Sequence, residues 1–292
     1  MSARRRTETS SGLAMVLPSV VVLGLFVVYP LLRTAWIGLY VQDPFGRNRR
    51  WVGLEQYREV LGSADFRHSL LVTIGFVAIT VPTSLILGIA LAALGNQQLR
   101  GIRVFRTIFA STIATSVAVA SMVWIVLFEP TTGILTQFLE AIGQNPVNVL
   151  GNPRTALVGV SLTTIWQNLG LVFVVTIAAM QSIPETLYES ARVDGHGRMS
   201  RFVSITVPML GPQLLFLSVV LTIAGFESFA QIDILTEGGP RDSTNVLVYS
   251  IVQDMPLDQG RAAVEAVLLF LVVGAFSAVQ FRWLDRRVHY AA

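Results

Sequence analysis

Six apolar runs, each long enough to cross a bilayer as a helix, limit what this chain of 292 residues can fold into. A spanning helix needs about 20 mostly apolar residues. The composition agrees, because 53% of the residues are hydrophobic and only 13% are charged, well outside the range of soluble domains. We therefore predict an all-α integral membrane protein with six transmembrane helices. The runs lie close to residues 13–37, 70–95, 107–128, 156–180, 209–235 and 262–284.

The arginines predict which side of the membrane each connection faces, because cytoplasmic connections carry an excess of basic residues. The first run is too long for a signal peptide and lacks a small-residue cleavage site, so we interpret it as a retained helix. With both termini cytoplasmic, the inner segments hold twelve of the 21 basic residues: Arg4, Arg5, Arg6, Arg100, Arg103, Arg106, Arg192, Arg198, Arg201, Arg282, Arg286 and Arg287. The first outer loop opposes the rule, since it holds Arg47, Arg49, Arg50, Arg58 and Arg67.

Lysine and cysteine are absent, so every basic residue is an arginine. A nucleotide-binding P-loop and a lysine Schiff base are therefore excluded, as are thiolate sites. His68, His196 and His289 are far apart in sequence, which argues against a metal site. The arginines form no basic, aromatic-laced face, so we expect no nucleic-acid partner. We predict a non-catalytic chain without a cofactor of its own; if ATP drives it, another chain binds ATP and Mg²⁺.

The predicted outer connections differ in character. Residues 52–71 have apolar positions at helical spacing among charges, which predicts a short amphipathic helix at the outer surface. Residues 129–154 and 236–261 are rich in Gly, Pro, Asn and Thr, which is typical of turns. The small residues Gly88 and Ala92 stand four apart in the second run and favour close helix packing.

The polar segment 181–208 separates the fourth and fifth runs on the predicted cytoplasmic side. Pro184 suits the first turn of a helix, and Gly195 and Gly197 permit a turn with positive φ. The pattern predicts a helix, a glycine turn and a second helix, forming a small protruding knob. On these features alone a solvated connecting loop would be the better explanation of the segment.

A family resemblance gives this knob a role. Glu189-Ser190-Ala191, three residues, Gly195, nine residues and then Ile205-Thr206-Val207-Pro208 resemble the EAA motif of ABC importer permeases, with Ser190 and Val207 as mild departures. In that family the loop docks into a cleft of the ATP-binding subunit. The resemblance implies a type I importer permease fold and a coupling role for Glu189, Ala191, Arg192, Asp194 and Gly195.

The longer frame "IWQNLGLVFVVTIAAMQSIPETLYESARVDG" is similar to the carbohydrate-uptake branch of this family. "LTEGGPRDSTNVLVYSI" (235–251), with its turn Gly238-Gly239-Pro240, and the C-terminal "AVQFRWLDRRVHY" are most similar to permeases for sn-glycerol 3-phosphate. The resemblance implies import of glycerol 3-phosphate or a glycerophosphodiester such as glycerophosphocholine across a bacterial cell membrane. A disaccharide such as trehalose or maltose is the alternative cargo.

The resemblance also implies partners and a domain division. The partners are a second permease subunit, two copies of an ATP-binding subunit, an extracytoplasmic solute-binding protein and membrane lipid. Residues 1–66 form a tail, the first span and the first outer loop; residues 67–284 form the ABC transmembrane domain; residues 285–292 form a cytoplasmic tail. A secondary transporter is the alternative from another class, but it has no use for a docking knob.

Polar residues inside the apolar runs mark a candidate substrate pathway. A charged side chain in hydrocarbon costs about 2.5–3.5 kcal/mol and normally faces a cavity. Glu227 and Asp233 lie in the fifth run, Glu227 about midway. Trp166, Gln167 and Asn168 in the fourth run offer a ring and two amides, groups that contact polyols; helix packing explains these three equally well. Because Glu227 is acidic, the cationic head of choline would pair with it better than a phosphate.

Overall fold

The computed structural model describes residues 15–42, 49–97 and 99–285. Arg4–Arg6, Arg47, Arg286, Arg287, His289 and the tail 286–292 lie outside the described residues. Helices dominate the described part: α1 Met15–Ile37, α2 Glu55–Gly62, α3 Ala64–Gly95, α4 Ile102–Ser111, α5 Val117–Phe128, α6 Ile134–Ala141, α7 Ala156–Gln181, α8 Glu185–Val193, α9 Arg198–Met209, α10 Gly211–Phe226, α11 Ala230–Thr236, α12 Leu247–Asp254 and α13 Gln259–Asp285.

Four described helices are long and apolar enough to span a membrane, namely α1, α3, α7 and the Gln259–Arg282 part of α13. The other two predicted spans are each broken into a bent pair. Ile102–Ala114 meets α5 at 111°, and α9 meets α10 at 66°. The chain therefore has four candidate spans, or up to six if each bent pair is one span. The helical character of the chain is confirmed, and the number of six spans stays a prediction.

Local chemistry explains the break in the third run. A 3₁₀ turn over Thr112–Ala114 ends α4, and Thr115 then takes an extended backbone with φ −82° and ψ 124°. The Ser116 hydroxyl accepts a hydrogen bond from the Val119 amide at 3.3 Å and so caps the start of α5. Serine is among the preferred residues at such a position, so the sequence starts a new helix here.

Prolines and a helix end explain the breaks in the fifth run. Pro212 follows Gly211 in the first turn of α10, where its missing amide hydrogen costs nothing but a preceding helix could not continue through it. Helix α10 ends at Phe226, with Glu227 as its C-cap. The chain resumes a helix only at Ala230.

The described residues group into two compact units. The first comprises the chain up to Phe66 together with Ile251–Phe270. It contains a hairpin that the sequence did not predict, with β1 Tyr40–Gln42 antiparallel to β2 Arg49–Trp51. It also contains α2, the short helix expected within 52–71, which buries Gln56 and Val60.

In this first unit, three acidic side chains lie close to the guanidinium of Arg261. The Arg261 guanidinium lies 3.7 Å from Asp65, 3.1 Å from Asp254 and 3.2 Å from Glu265, whose side chain is fully buried. Burial raises the pKa of Asp254 above its usual value, and Arg261 opposes that rise. Glu265 lies within the sixth predicted run and was missed there, although an acid in an apolar run is a visible signal. A buried acid next to an arginine indicates a structural ion pair.

The second unit comprises Arg67–Ser250 and the chain from Leu271 onward. Helices α3 and α7 lie so close that a Cβ on Gly88 would overlap the Val172 side chain, which confirms the packing interpretation of Gly88. A Cβ on Gly170 would be 2.5 Å from the backbone of Ile113, so α7 also lies tightly against the 3₁₀ turn. A cluster of buried side chains in this unit contains Ala92, Phe173, Ala179, Met180 and Leu210.

Candidate functional site

A cavity of about 400 Å³ lies in the second unit, where both broken runs meet α7. Three of the predicted pathway residues line it: Gln167, Asn168 and Glu227. The remaining lining residues are Thr112, Ile113, Val117, Thr164, Leu171, Ala224, Gly225, Ser228, Phe229, Ala230 and Gln231. The two helix breaks therefore border a cavity in which several polar side chains lie among apolar ones.

Glu227 supplies the charge in this cavity. Its amide donates to the Ile223 carbonyl at 3.1 Å and closes α10, so the residue stands at a helix end and not midway in a helix as expected. Its side chain is exposed, and within the described ranges its carboxylate makes no hydrogen bond or ion pair. No basic residue occurs among the described residues that line the cavity. The cavity therefore offers an unneutralised negative charge.

A chain of hydrogen bonds runs beside the cavity and joins the two broken runs through α7. The Thr164 hydroxyl donates to Gln231 Oε1 at 2.6 Å, and Gln231 Nε2 donates to Gln167 Oε1 at 2.9 Å. Gln167 Nε2 then donates to the Thr115 carbonyl at 3.1 Å. We call Thr164, Gln231, Gln167 and the Thr115 carbonyl the amide relay. It connects α11 to the bend between α4 and α5.

Gln231 is the member of this relay that sequence reasoning missed. Its side chain is only 4% exposed, and both ends of its amide are hydrogen-bonded. A buried amide is costly unless both ends have partners. The available signal was an amide within the apolar run 209–235, the same signal that singled out Gln167 and Asn168.

Two predicted pathway residues lie outside the cavity lining. Trp166 packs on Trp124 with ring centroids 6.3 Å apart, and Trp124 in turn contacts Phe128 at 5.1 Å. Asp233 is half-buried on α11. The structure therefore brings together Gln167, Asn168 and Glu227 but leaves Trp166 in an aromatic packing contact.

The predicted turn after α11 borders the same region. Gly238 has φ +77°, and a Cβ there would be 2.7 Å from the Tyr249 ring, so only glycine fits without strain. The Tyr249 ring stacks on Phe229 at 5.7 Å, and Phe229 lines the cavity. The Thr244 hydroxyl donates to the Gly239 carbonyl at 2.8 Å, which holds the turn before Pro240 closed.

The knob has the helix, glycine turn and helix that the sequence predicted. The His196 amide donates to the Ala191 carbonyl at 2.9 Å and the Gly195 amide to the Arg192 carbonyl at 3.1 Å. This pair of bonds is the Schellman arrangement, which requires a left-handed residue after the helix. Gly195 provides it with φ +81°, whereas Gly197 has φ −67°, so only one of the two predicted glycines has a positive φ.

The knob exposes most of the predicted coupling residues. Glu189 and Asp194 are exposed, and Arg192 makes a 3.8 Å ion pair with Glu185. Ala191 is buried within the chain at 9% exposure, so its methyl group packs inward. Apolar side chains are also exposed on and after the knob: Val193 at 88%, Met199 at 74% and Val203 at 59%.

Comparison with known proteins agrees with these features. Residues 4–290 match the family of binding-protein-dependent transport system inner membrane components, and the chain belongs to this family. The prediction of an ABC importer permease is thereby confirmed, and the chain is an inner membrane component with several apolar helices.

Individual relatives indicate which kind of importer permease the chain resembles. The sn-glycerol-3-phosphate transport system permease protein UgpA of Yersinia enterocolitica is 34% identical over 279 residues, which cover 94% of each chain. UgpA of Pectobacterium atrosepticum is 32% identical over 295 residues, covering 99% of this chain and all of that protein. The chain is therefore a UgpA-like permease, as its motifs indicated.

Solved structures confirm the type of fold. A chain of a bacterial ABC transporter involved in the import of the acidic polysaccharide alginate superposes with a TM-score of 0.76 at 22% identity, covering 97% of this chain and 98% of that one. The alginate transporter in complex with a periplasmic protein that holds an alginate pentasaccharide gives the same TM-score. At this identity the likeness concerns the fold alone, which is the helical type I importer permease fold.

Proposed function

We propose that this permease imports a glycerol-3-phosphate or glycerophosphodiester type of solute, and that the cavity beside α7 is its part of the pathway. The observation that carries the proposal is the single uncompensated carboxylate of Glu227 next to the amides of Gln167 and Asn168. The volume of the cavity, about 400 Å³, falls in the range of about 300–1,000 Å³ that is usual for small-ligand sites. The UgpA relatives favour this class of cargo.

The charge of the cavity favours a cargo with a cationic end. An anionic phosphate next to Glu227 would be repelled, and none of the described residues that line the cavity is an arginine that could balance it. A choline head is attracted by the same carboxylate, while amides hydrogen-bond the glycerol hydroxyls. We therefore propose glycerophosphocholine as a cargo, with the phosphate recognised by the solute-binding protein and the partner permease.

In the proposed function, the knob couples ATP hydrolysis in a partner subunit to transport. We propose that Glu189, Arg192 and Asp194 contact an ATP-binding subunit, while Ala191 and Gly195 hold the shape that presents them. The exposed Val193 and Met199 add apolar surface for this docking. ATP and Mg²⁺ are bound by the partner, which supplies all of the hydrolytic chemistry.

The proposed assembly follows the Ugp type. It contains this chain, a second permease, two copies of the ATP-binding subunit and an extracytoplasmic solute-binding protein. In the membrane each bent pair counts as one span, which gives six spans with both termini cytoplasmic. The knob then lies on the cytoplasmic side, where the ATP-binding subunits are.

The test replaces Glu227 by glutamine, which keeps the shape and removes the charge. Transport is measured in proteoliposomes that hold the complete complex, with glycerophosphocholine and glycerol 3-phosphate as separate cargoes. Because Glu227 is exposed, we expect the KM for glycerophosphocholine to rise by up to about fivefold, the range of solvent-screened ion pairs. The KM for glycerol 3-phosphate should stay constant or fall.

Asp233→Asn is the matched control, because it removes a carboxylate from the adjoining helix without altering the cavity lining. It should leave the transport of both cargoes unchanged. Equal effects of Glu227→Gln on the two cargoes would reject the electrostatic role. Uptake of trehalose or maltose in place of glycerophosphocholine and glycerol 3-phosphate would reject the proposed cargo class.

A further inference from the structure

Two arginines in the hairpin have no explanation from the proposed function. Arg49 and Arg50 belong to the segment whose basic residues oppose the expected sidedness of the chain. Both are exposed on β2. Across the ranges that the structure describes, neither guanidinium forms an ion pair or a hydrogen bond. No described side chain therefore neutralises either charge.

The hairpin register places only one of these arginines beside aromatic rings. Residues alternate between the two faces of a strand, so Arg49 shares a face with Trp51, while Arg50 lies on the opposite face. Tyr40 pairs with Trp51 across the two strands, and their ring centroids are 4.9 Å apart. Trp36 in the last turn of α1 approaches both rings, at 5.7 Å from Tyr40 and 5.6 Å from Trp51.

A cavity of about 270 Å³ lies next to this aromatic cluster and is lined by Trp36, Ile37, Tyr40 and Arg49. The described lining residues provide one guanidinium, two aromatic side chains and an aliphatic group. Guanidinium groups bind phosphate through two parallel hydrogen bonds, and Trp and Tyr favour the membrane–water interface. The composition fits a ligand that has a phosphate at one end and apolar carbon at the other.

The position of the cavity indicates where such a ligand comes from. Helix α1 is 23 residues long and strongly apolar, and none of its most apolar stretch is buried by the chain. Leu32 is 64% exposed and Val28 is 49% exposed one to two turns before Trp36. The cavity therefore lies at the end of an apolar helix surface and is lined by Trp and Tyr, the residues that favour the membrane–water interface.

We propose that this cavity binds the phosphate headgroup of a membrane phospholipid, with Arg49 on the phosphate. The rings of Trp36 and Tyr40 contact the glycerol and the first acyl carbons, and the acyl chains lie along the exposed side of α1. A water-soluble phosphate ester would use Arg49 but would leave the aromatic and aliphatic groups without a partner. The site anchors this end of α1 at the interface and accounts for a basic residue on the unexpected side.

The test measures binding of 1-palmitoyl-2-oleoyl phosphatidylglycerol to the full chain, purified in detergent and stripped of lipid, by native mass spectrometry. The wild type should bind one lipid more tightly than the rest. Arg49→Gln should weaken that first binding step by at least about tenfold, because hydrogen bonds to charged groups are worth that much. Arg50→Gln removes the same charge from the other face of the same strand and should leave the first step unchanged.

Two further probes separate the sources of the phosphate. Dioleoylglycerol, which has the acyl chains without the phosphate, should not compete for the site. sn-Glycerol 3-phosphate at millimolar concentration should not displace the lipid. Equal losses in Arg49→Gln and Arg50→Gln, competition by either probe, or loss of the second permease from the Arg49→Gln complex would each overturn the proposal. The last result would identify the cluster as a protein interface.

Discussion

Gly195 and Gly197 stand two residues apart in the knob and differ in backbone conformation. Gly195 has φ +81°, a region that side chains with a Cβ rarely adopt, whereas Gly197 has φ −67°. A Cβ added at either position would meet no atom within 4 Å. Any difference between substitutions at the two glycines therefore reports the backbone angle and not a clash.

This difference gives a prediction for coupling. Gly195→Val should strain the turn by about 1–3 kcal/mol and displace the exposed residues that follow α8. We expect the reconstituted complex to lose most of its substrate-stimulated ATPase activity. Gly197→Val should retain it, because valine adopts that backbone readily. Equal stimulation in the two variants would show that the turn has no part in coupling.

Single residues could be predicted where their chemistry conflicts with their surroundings. Glu227, Gln167 and Asn168 are polar in apolar runs, and all three line the cavity. Trp166 carried no such conflict, since an indole packs as readily as it binds, and it packs on Trp124. Ala191 was expected at the docking surface, but a methyl group facing inward gives no sign in the sequence. The coupling roles themselves stay predictions.

At the scale of elements, the amide relay joins parts of the chain that are broken separately. Gln231 on α11 and Gln167 on α7 share one hydrogen bond of 2.9 Å, and Gln167 continues to the bend at Thr115. Movement of either broken run must therefore stretch or break this relay. Because the relay borders the cavity, its geometry sets the distance between the walls that a solute would contact.

Gln231→Met tests this connection, since methionine is similar in length but makes no strong hydrogen bond. We expect unfolding to become easier by about 1–3 kcal/mol, because Gln167 loses a buried partner. We also expect the KM for uptake to rise. Gln280→Met is the control, as it removes a 2.8 Å bond to Thr222 away from this cavity. It should lower the midpoint of thermal unfolding without changing the KM.

The relay also predicts a coupling between two substitutions. If Gln231 and Gln167 act together, the effects of Gln231→Met and Gln167→Met on unfolding should differ from additivity by at least about 0.5 kcal/mol. Unaltered KM in Gln231→Met, together with additive stability losses, would reduce the relay to ordinary packing.

The apolar runs could be predicted as elements, but their breaks could not. Run length depends only on hydropathy, which is why α1, α3, α7 and α13 correspond to their predicted spans. The breaks depend on short polar signals inside apolar sequence: the cap at Ser116 and the helix end at Glu227. Serine and glutamate also occur inside helices, so these residue types alone do not reveal from the sequence that the helix ends there. The hairpin strands are too short for an alternating pattern to be visible.

At the scale of the whole molecule, two long helices expose apolar surface that must be covered by something other than this chain. None of the most apolar stretch of α1 is buried by the chain, and only 22% of the corresponding stretch of α13 is. Lipid or other protein must cover such surface, because contiguous exposed apolar area of this extent is unstable in water. In the proposed assembly, where the chain forms one wall of the pathway, lipid and the second permease together cover this surface.

The proposed assembly predicts which of its subunits binds and hydrolyses ATP. Phosphates of ATP are held by a P-loop lysine in the ATP-binding subunits of such machines, and this chain contains arginine as its only basic side chain besides three histidines. The purified chain should neither hydrolyse ATP nor bind it at micromolar concentration, which equilibrium dialysis with labelled ATP would measure.

Adding the ATP-binding subunit should produce hydrolysis. That activity should disappear when the lysine of the partner's P-loop is replaced, and it should survive Arg192→Gln in this chain at its basal rate while losing its response to the solute. Micromolar binding of ATP by the chain alone would place nucleotide chemistry in the permease and contradict this division.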